Sequence, residues 1–355
     1  MKHSIKSISG FLRKYLLLFT LLMIVIAVPL GYANGKWVAE NKSLISNLVI
    51  LLAISTIYPS MIQLKTENML KMFRKWKLIA ISIVYVFIFS PLMAYALGPT
   101  IGNQELGVGF VTANVVPASS ASLGYVLIAG GSIELATALA VISVIIAVPF
   151  IPFFLGLYSS QVSVSIPIAP ILTSVIYILV LPMIAGQLTR YPLVKMKGAE
   201  HINVKIHPYL STATMMGMLA LIFVLVLKVG TLMVQKPFLV GTVIGYQSLI
   251  IVSLLIISVF VSRAMHASYE DHQAVAFISV SKNQSVAAAI AILALTPIGA
   301  LAPAIIPMIQ PVLIIVYIHL DRYVRRLFRV DTAKDMKAGA AETDNGRPLA
   351  PVSPG

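Results

Sequence analysis

Ten runs of about 20 apolar residues, joined by short polar connections, leave this chain a single kind of solvent to fold in. They cover roughly 14–33, 44–62, 78–98, 106–130, 132–157, 165–189, 209–229, 238–262, 272–294 and 298–320. About 20 apolar residues carry a helix across the hydrocarbon core of a bilayer. Lipid offers no partner for a bare backbone N–H or C=O, so such runs must be helices or a closed barrel. The fold class expected is an all-α integral membrane protein of about ten transmembrane helices. Composition agrees: 59% of the 355 residues are hydrophobic and 11% charged, against roughly half and a quarter in soluble domains. The first run lacks a convincing small-residue cleavage site and reads as a retained span.

The formal net charge of +14 would suggest nucleic acid in a soluble protein. Here the cations sit between the apolar runs and read as topology determinants, with the lipid bilayer as partner and no nucleic acid. Lys2, Lys6, Arg13 and Lys14, then Lys65, Lys71, Arg74, Lys75 and Lys77, then Arg190, Lys195, Lys197 and Lys205, then Arg263, then Arg322, Arg325, Arg326 and Arg329 fall on one side. Only Lys36, Lys42, Lys228 and Lys236 fall on the other. By the positive-inside rule both termini are cytoplasmic, in a multi-pass protein of the cell membrane. Residues 1–330 form the transmembrane domain. The polar, Gly- and Pro-containing stretch 331–355 reads as a disordered cytoplasmic tail.

The halves about 10–160 and 161–330 are weakly similar. A shift of about 162 residues brings Ser119 onto Ser281 and Pro149 onto Pro311. Five spans per half is an odd number, so a repeat would be inverted in the membrane, a common plan of secondary transporters.

Two runs carry dense polar centres: Pro117-Ala118-Ser119-Ser120-Ala121-Ser122 in span four, and Ser279-Val280-Ser281-Lys282-Asn283-Gln284-Ser285 in span nine. Such knots are tolerated at mid-depth where helices break and line a cavity. Broken helices expose N–H groups that attract anions and carbonyls that attract cations. Candidate substrate- or ion-binding residues are therefore Ser119, Ser120, Ser122, Ser281, Lys282, Asn283, Gln284 and Ser285, with Asn114 as a further cavity residue. An ionised Lys282 at that depth costs at least about 2.5 kcal/mol. Two roles stay open for it: a substrate counter-ion or proton-coupling group, or a fixed cation that replaces a bound metal ion and holds the broken helices together. Ser residues also serve close helix packing.

Other polar residues have simpler readings. Glu134 complements the dipole at the start of span five. Gln310 stands ready to satisfy backbone freed by Pro311. Glu270-Asp271-His272 reads as a solvated turn. Trp37 and Trp76 read as interface anchors. The chain has no cysteine, which excludes disulfides, thiolate metal sites and Cys nucleophiles. It has no Gly-x-x-x-x-Gly-Lys-Ser/Thr loop, so ATP-driven transport is not expected. No catalytic residue, metal site or cofactor is expected.

Val116-Pro117-Ala118-Ser119-Ser120-Ala121-Ser122, then Leu127-Ile128-Ala129-Gly130-Gly131-Ser132 and Leu135, resembles the span-four signature of the bile acid:sodium symporter superfamily. Phe89-Ser90-Pro91-Leu92 resembles its third span, and Ser281 to Ala291 its broken ninth. The likeness covers about 1–325. It implies two inverted five-helix repeats in which spans four and nine cross within a core. Spans one, two, six and seven would form a panel, with the solute bound between panel and core. The family's sodium ligands fall here on Leu123, Ala136, Ala140, near Val86 and near Ser279. These departures argue against sodium coupling of the usual kind. The superfamily's arsenite exporters use a span-four Cys, which this chain lacks.

The function expected is secondary transport of a small anionic or polar organic solute by alternating access. Lys282 would stand in for a bound cation, and H+ is the candidate coupling ion. The alternatives are an arsenite or metalloid oxyanion exporter working without the Cys, and, from another class, a non-transporting membrane sensor or assembly subunit.

Overall fold

A computed structural model of the chain describes residues 2–64, 72–119, 121–163, 167–296 and 298–328. Ser120, the tail from 331, and the loop cations Lys65, Lys71 and Arg329 lie outside the described residues. Among the described residues, eight helices are long and apolar enough to cross a membrane: Leu16–Ala33, Lys42–Gln63, Phe73–Ile101, Ile133–Ser159, Ile168–Lys197, His201–Gln235, Pro237–Ala264 and Leu301–His319. They correspond to spans one, two, three, five, six, seven, eight and ten. Spans four and nine are each two short helices separated by an extended break: Gln104–Val115 with Ala121–Ile128, and Tyr269–Val280 with Gln284–Ala294. The breaks fall on the two polar knots.

Three helices widen into π-turns: Tyr85–Phe89, Ile176–Val180 and His201–Ile206. Each is followed, two residues on, by a proline: Pro91, Pro182 and Pro208. The proline ring clashes with the carbonyl four residues back. Those carbonyls belong to Phe87, Ile178 and Val204, all inside the widened turns. The extra residue per turn relieves the clash and shifts the hydrogen bonds by one. Ser90 N–H donates to Tyr85 O, Leu181 N–H to Ile176 O, and His207 N–H to Ile202 O. In the first of these turns the next carbonyl, Val86 O, faces Pro91, which has no N–H to give.

The helices pack in two groups. Span seven lies against spans one and two, and span six against span two; spans three, four, five, eight, nine and ten pack on one another. This is the panel and core that the family resemblance implies. Span one approaches span seven so closely that a Cβ added at Gly230 would sit 2.9 Å from Val28 O. Between the groups, span two and span six meet the second half of span nine.

One feature is added and two expectations change. The basic N-terminal flank is helical, Lys2–Lys14, and lies along span seven with Ser9 and Leu12 buried. Arg190 is not a loop cation: span six continues to Lys197, and Arg190 is 1% exposed. Its guanidinium donates to Ile62 O (2.9 Å) and Asn203 Oδ1 (3.3 Å), while Gln187 Nε2 donates to Met61 O (2.7 Å). Span six thus satisfies the orphan carbonyls at the end of span two. Asp271 and His272 are not in a solvated turn either. Both are buried, in the first turn of span nine. Asp271 takes two bonds from Lys75 Nζ, each 2.7 Å, and His272 sits between Ser262 Oγ (3.1 Å) and Tyr317 Oη (2.7 Å).

Candidate functional site

The two breaks meet. Ala118 and Lys282 pair as one antiparallel β-bridge, with Ser119 N–H donating to Ser281 O (2.7 Å) and Asn283 N–H to Pro117 O (2.9 Å). Each extended residue needs partners on its other edge as well, because a bare backbone group there is costly in lipid. Ala118 N–H donates to Ser143 Oγ of span five (3.2 Å). Lys282 N–H donates to Gln310 Oε1 of span ten (3.2 Å), and Gln310 Nε2 donates back to Lys282 O (3.3 Å). Gln310 therefore serves the break in span nine rather than the backbone freed by its own proline neighbour.

Local chemistry starts the second halves. Asn283 caps Gln284–Ala294 by accepting from Val286 N–H through Oδ1 (3.4 Å). On span four, Ser119 Oγ accepts from Ala121 N–H (3.2 Å) and Ser122 Oγ donates to Ser119 O (2.5 Å). These are side-chain caps of the kind that favour helix starts over helix interiors.

Lys282 is 2% exposed. Its Nζ donates to Val86 O at 2.6 Å and stands 5.9 Å from the Phe87 ring centroid. The carbonyl stranded by Pro91 is thus the one that receives Lys282 Nζ. The family resemblance also places a sodium-binding side chain near Val86.

A cavity of about 930 Å³ separates panel from core. The panel contributes Thr56, Ser60, Thr214 and Met215, and the core contributes Ser119, Thr137, Asn283, Gln284 and Ser285. Lys14, Gln63, His207 and His319 line it at span ends on the face that carries the N terminus, and Glu134 lines it from the start of span five. Leu123, Leu221, Ile222, Leu225, Ile315 and similar residues make the rest largely apolar. Lys282 and Gln310 belong to the same wall, but span three, to which the ammonium is bonded, contributes no described residue to it.

Of the expected site residues, Ser119, Lys282, Asn283, Gln284 and Ser285 come together at the cavity. Ser122 and Ser281 are fully buried beside it and are not in its lining. Asn114 is not a cavity residue. It is buried in the core, donating to Phe110 O and Gln247 Oε1 (each 3.0 Å) and accepting from Ser90 Oγ (3.0 Å).

Residues 49–236 match the model of the Sodium Bile acid symporter family, a little over half of the chain. The chain belongs to that family. The symporter match runs from span two to the end of span seven, so it takes in the break of span four and leaves Lys282 outside. A relative, the arsenical-resistance protein Acr3 of Corynebacterium glutamicum, is 24% identical over 325 residues, covering 86% of this chain and 87% of that protein. The symporter family is one of membrane transporters, and this chain is a multi-pass membrane transporter of it.

Proposed function

We propose that this symporter-family protein moves a small organic solute, anionic or polar, by alternating access through the cavity between panel and core. In this reading it binds no sodium ion at the crossing, because Lys282 is the cation of that site. The observation that carries it is the 2.6 Å bond from Lys282 Nζ to the carbonyl of Val86. Carbonyls at helix breaks coordinate Na+ in transporters built on this plan. Here the carbonyl is already taken by a charge that belongs to the chain. The counter-ion role for the ammonium is not favoured, since its bond points it into span three. Polarity for the solute comes instead from the N-terminal ends of the two second half-helices. Their residues Ala121, Gln284 and Ser285 line the cavity. The apolar remainder of a 930 Å³ space suits a solute with a carbon body.

The cavity's polar mouth lies on the face rich in Lys and Arg, so we assign it to the cytoplasm and the structure to the inward-open form. H+ remains the candidate coupling ion.

The test is thermal stabilisation of the purified, detergent-solubilised protein against organic acids, metalloid oxyanions and Na+. A ligand that binds only the folded state raises the midpoint by mass action. The expected result is a shift with an organic acid and none with Na+. A shift with Na+ alone sinks the reading. The relative's name favours a second reading, export of an arsenical. Without a thiol, such a solute would be held only by hydroxyls and amides. Resistance of expressing cells to arsenite, against vector controls, decides between the two.

A further inference from the structure

Away from the crossing, a second lysine lies at depth without a counter-charge. Lys228 is half-buried in span seven, seven residues before that helix ends at Gln235. Its Nζ donates to Ser46 Oγ of span two (3.0 Å), and Ser46 Oγ donates its own hydrogen to Lys42 O one turn back (2.8 Å). Ser46 lies four residues, about 6 Å, inside the start of span two at Lys42. The head of Lys228 is therefore held below the outer end of that helix. Among the described residues no carboxylate pairs with Lys228 or Lys42, and the two lysines stand near enough for their charges to repel. An ionisable group at depth in a span almost always faces the bundle interior or a water-filled space, and is paired there.

Helical register identifies the space. Lys228 follows Leu221 by seven residues, nearly two turns, and Ser46 precedes Ile57 by eleven, nearly three. Leu221 and Ile57 line the cavity, whereas Lys228, Ser46 and Lys42 do not. The lysines thus continue the solute-facing stripe of the panel outward, beyond the part that is open. There the second half of span nine, which runs outward from the crossing, lies against span two. Alternating access parts these surfaces when the inner mouth shuts, and the stripe then becomes a wall of the outer cavity.

We propose that Lys228, with Lys42 beside it, is an outward anion-binding subsite that receives the negative end of the solute in the outward-open form. This rests on the alternating-access reading of the cavity, and it narrows the solute from anionic or polar to anionic.

The chain has no cysteine, so Ser46→Cys places a single, nearly isosteric thiol beside Lys228. The full-length protein in cells is treated from outside with two methanethiosulfonate probes, the anionic sulfonatoethyl and the cationic trimethylammonioethyl reagents. Their rate ratio is divided by the ratio for 2-mercaptoethanol in the same buffer. One unit charge about 6 Å away in watery surroundings speeds one probe and slows the other by about threefold each, so the normalised ratio should favour the anion about tenfold at low salt. Lys228→Gln should lower that preference at least about threefold, and Lys228→Arg should keep it. Ile50→Cys, one turn deeper, serves if Ser46→Cys does not fold. A normalised ratio of one, or a preference unchanged by Lys228→Gln, overturns the assignment. So does a thiol that never reacts from outside while Ser60→Cys still reacts from the cytoplasmic side, an outcome that leaves the cavity reading standing. If Ser60→Cys reacts from neither side, the cavity reading itself fails, and this assignment with it. In proteoliposomes, loss of the reaction when phosphatidylglycerol replaces phosphatidylcholine would give the lysines to a lipid headgroup and overturn the assignment too.

Discussion

Lys282 shows how one residue can be placed by a residue it never touches. Pro91 has no N–H, the widened turn before it puts Val86 O opposite that missing donor, and the ammonium supplies the missing bond. Lys282→Met should therefore strand a buried carbonyl as well as delete a charge. The expected loss is about 1.5–3 kcal/mol, the scale of a hydrogen bond to a charged group, read as a lower thermal midpoint. Pro91→Ala should restore an N–H to Val86 O. In that background Lys282→Met should cost less, so a double-mutant cycle should give a clearly non-additive term. Additivity would mean that the proline and the lysine are unrelated. That Lys282 sits in the polar interruption of span nine was legible in the sequence. Its direction was not, because it depends on a hydrogen-bond shift in a helix almost 200 residues away.

At the scale of elements, the positions of both breaks were readable because serines, Asn and Pro prefer helix starts and cannot be left bare in lipid. Asn283→Ala should lose the cap on Gln284–Ala294 and cost about 0.5–2 kcal/mol, with Asn283→Ser recovering most of it. Gln310→Leu should be more damaging, since it leaves two buried groups of Lys282 unpaired, and Gln310→Met should not rescue it. Both are read from the denaturation midpoint. The π-turns went unread, although each is followed by its proline at the same spacing. An X-Pro pair inside an apolar run is equally compatible with a kink, and only neighbouring helices decide which relief is used. The burial of Arg190, Asp271 and His272 was missed for a related reason. Charge beside an apolar run looks the same in sequence whether it faces water or caps another helix.

Across the whole molecule, hydropathy was enough for the eight unbroken helices, since bilayer thickness sets helix length directly. The division into panel and core came only from family resemblance, because no periodicity distinguishes helices that face lipid from helices that face each other. The absence of native cysteine makes the proposed orientation simple to check. Single substitutions Lys36→Cys and Lys75→Cys in cells should react with a membrane-impermeant maleimide from opposite sides, Lys36→Cys from outside. Ser60→Cys, in the cavity wall, should be reached from the cytoplasmic side in the inward-open form. Labelling of Lys75→Cys from outside would reverse the topology.

The tether between Lys282 and span three also bears on energetics. A cation that is part of the polypeptide cannot be released on one side of the membrane and replaced from the other. Unlike a bound Na+, it therefore brings no metal-ion gradient into the transport cycle, however well it holds the two breaks together; all it can exchange with either side is a proton. If Lys282 keeps its proton throughout the cycle, the concentration ratio at which net flux stops is set by the solute's own charge in the membrane potential. That is worth about 2.3 kcal/mol per charge per 100 mV. Any steeper accumulation requires proton coupling, through Lys282 or another group, so the stalling ratio in proteoliposomes, measured with and without a pH difference, would reveal whether it exists.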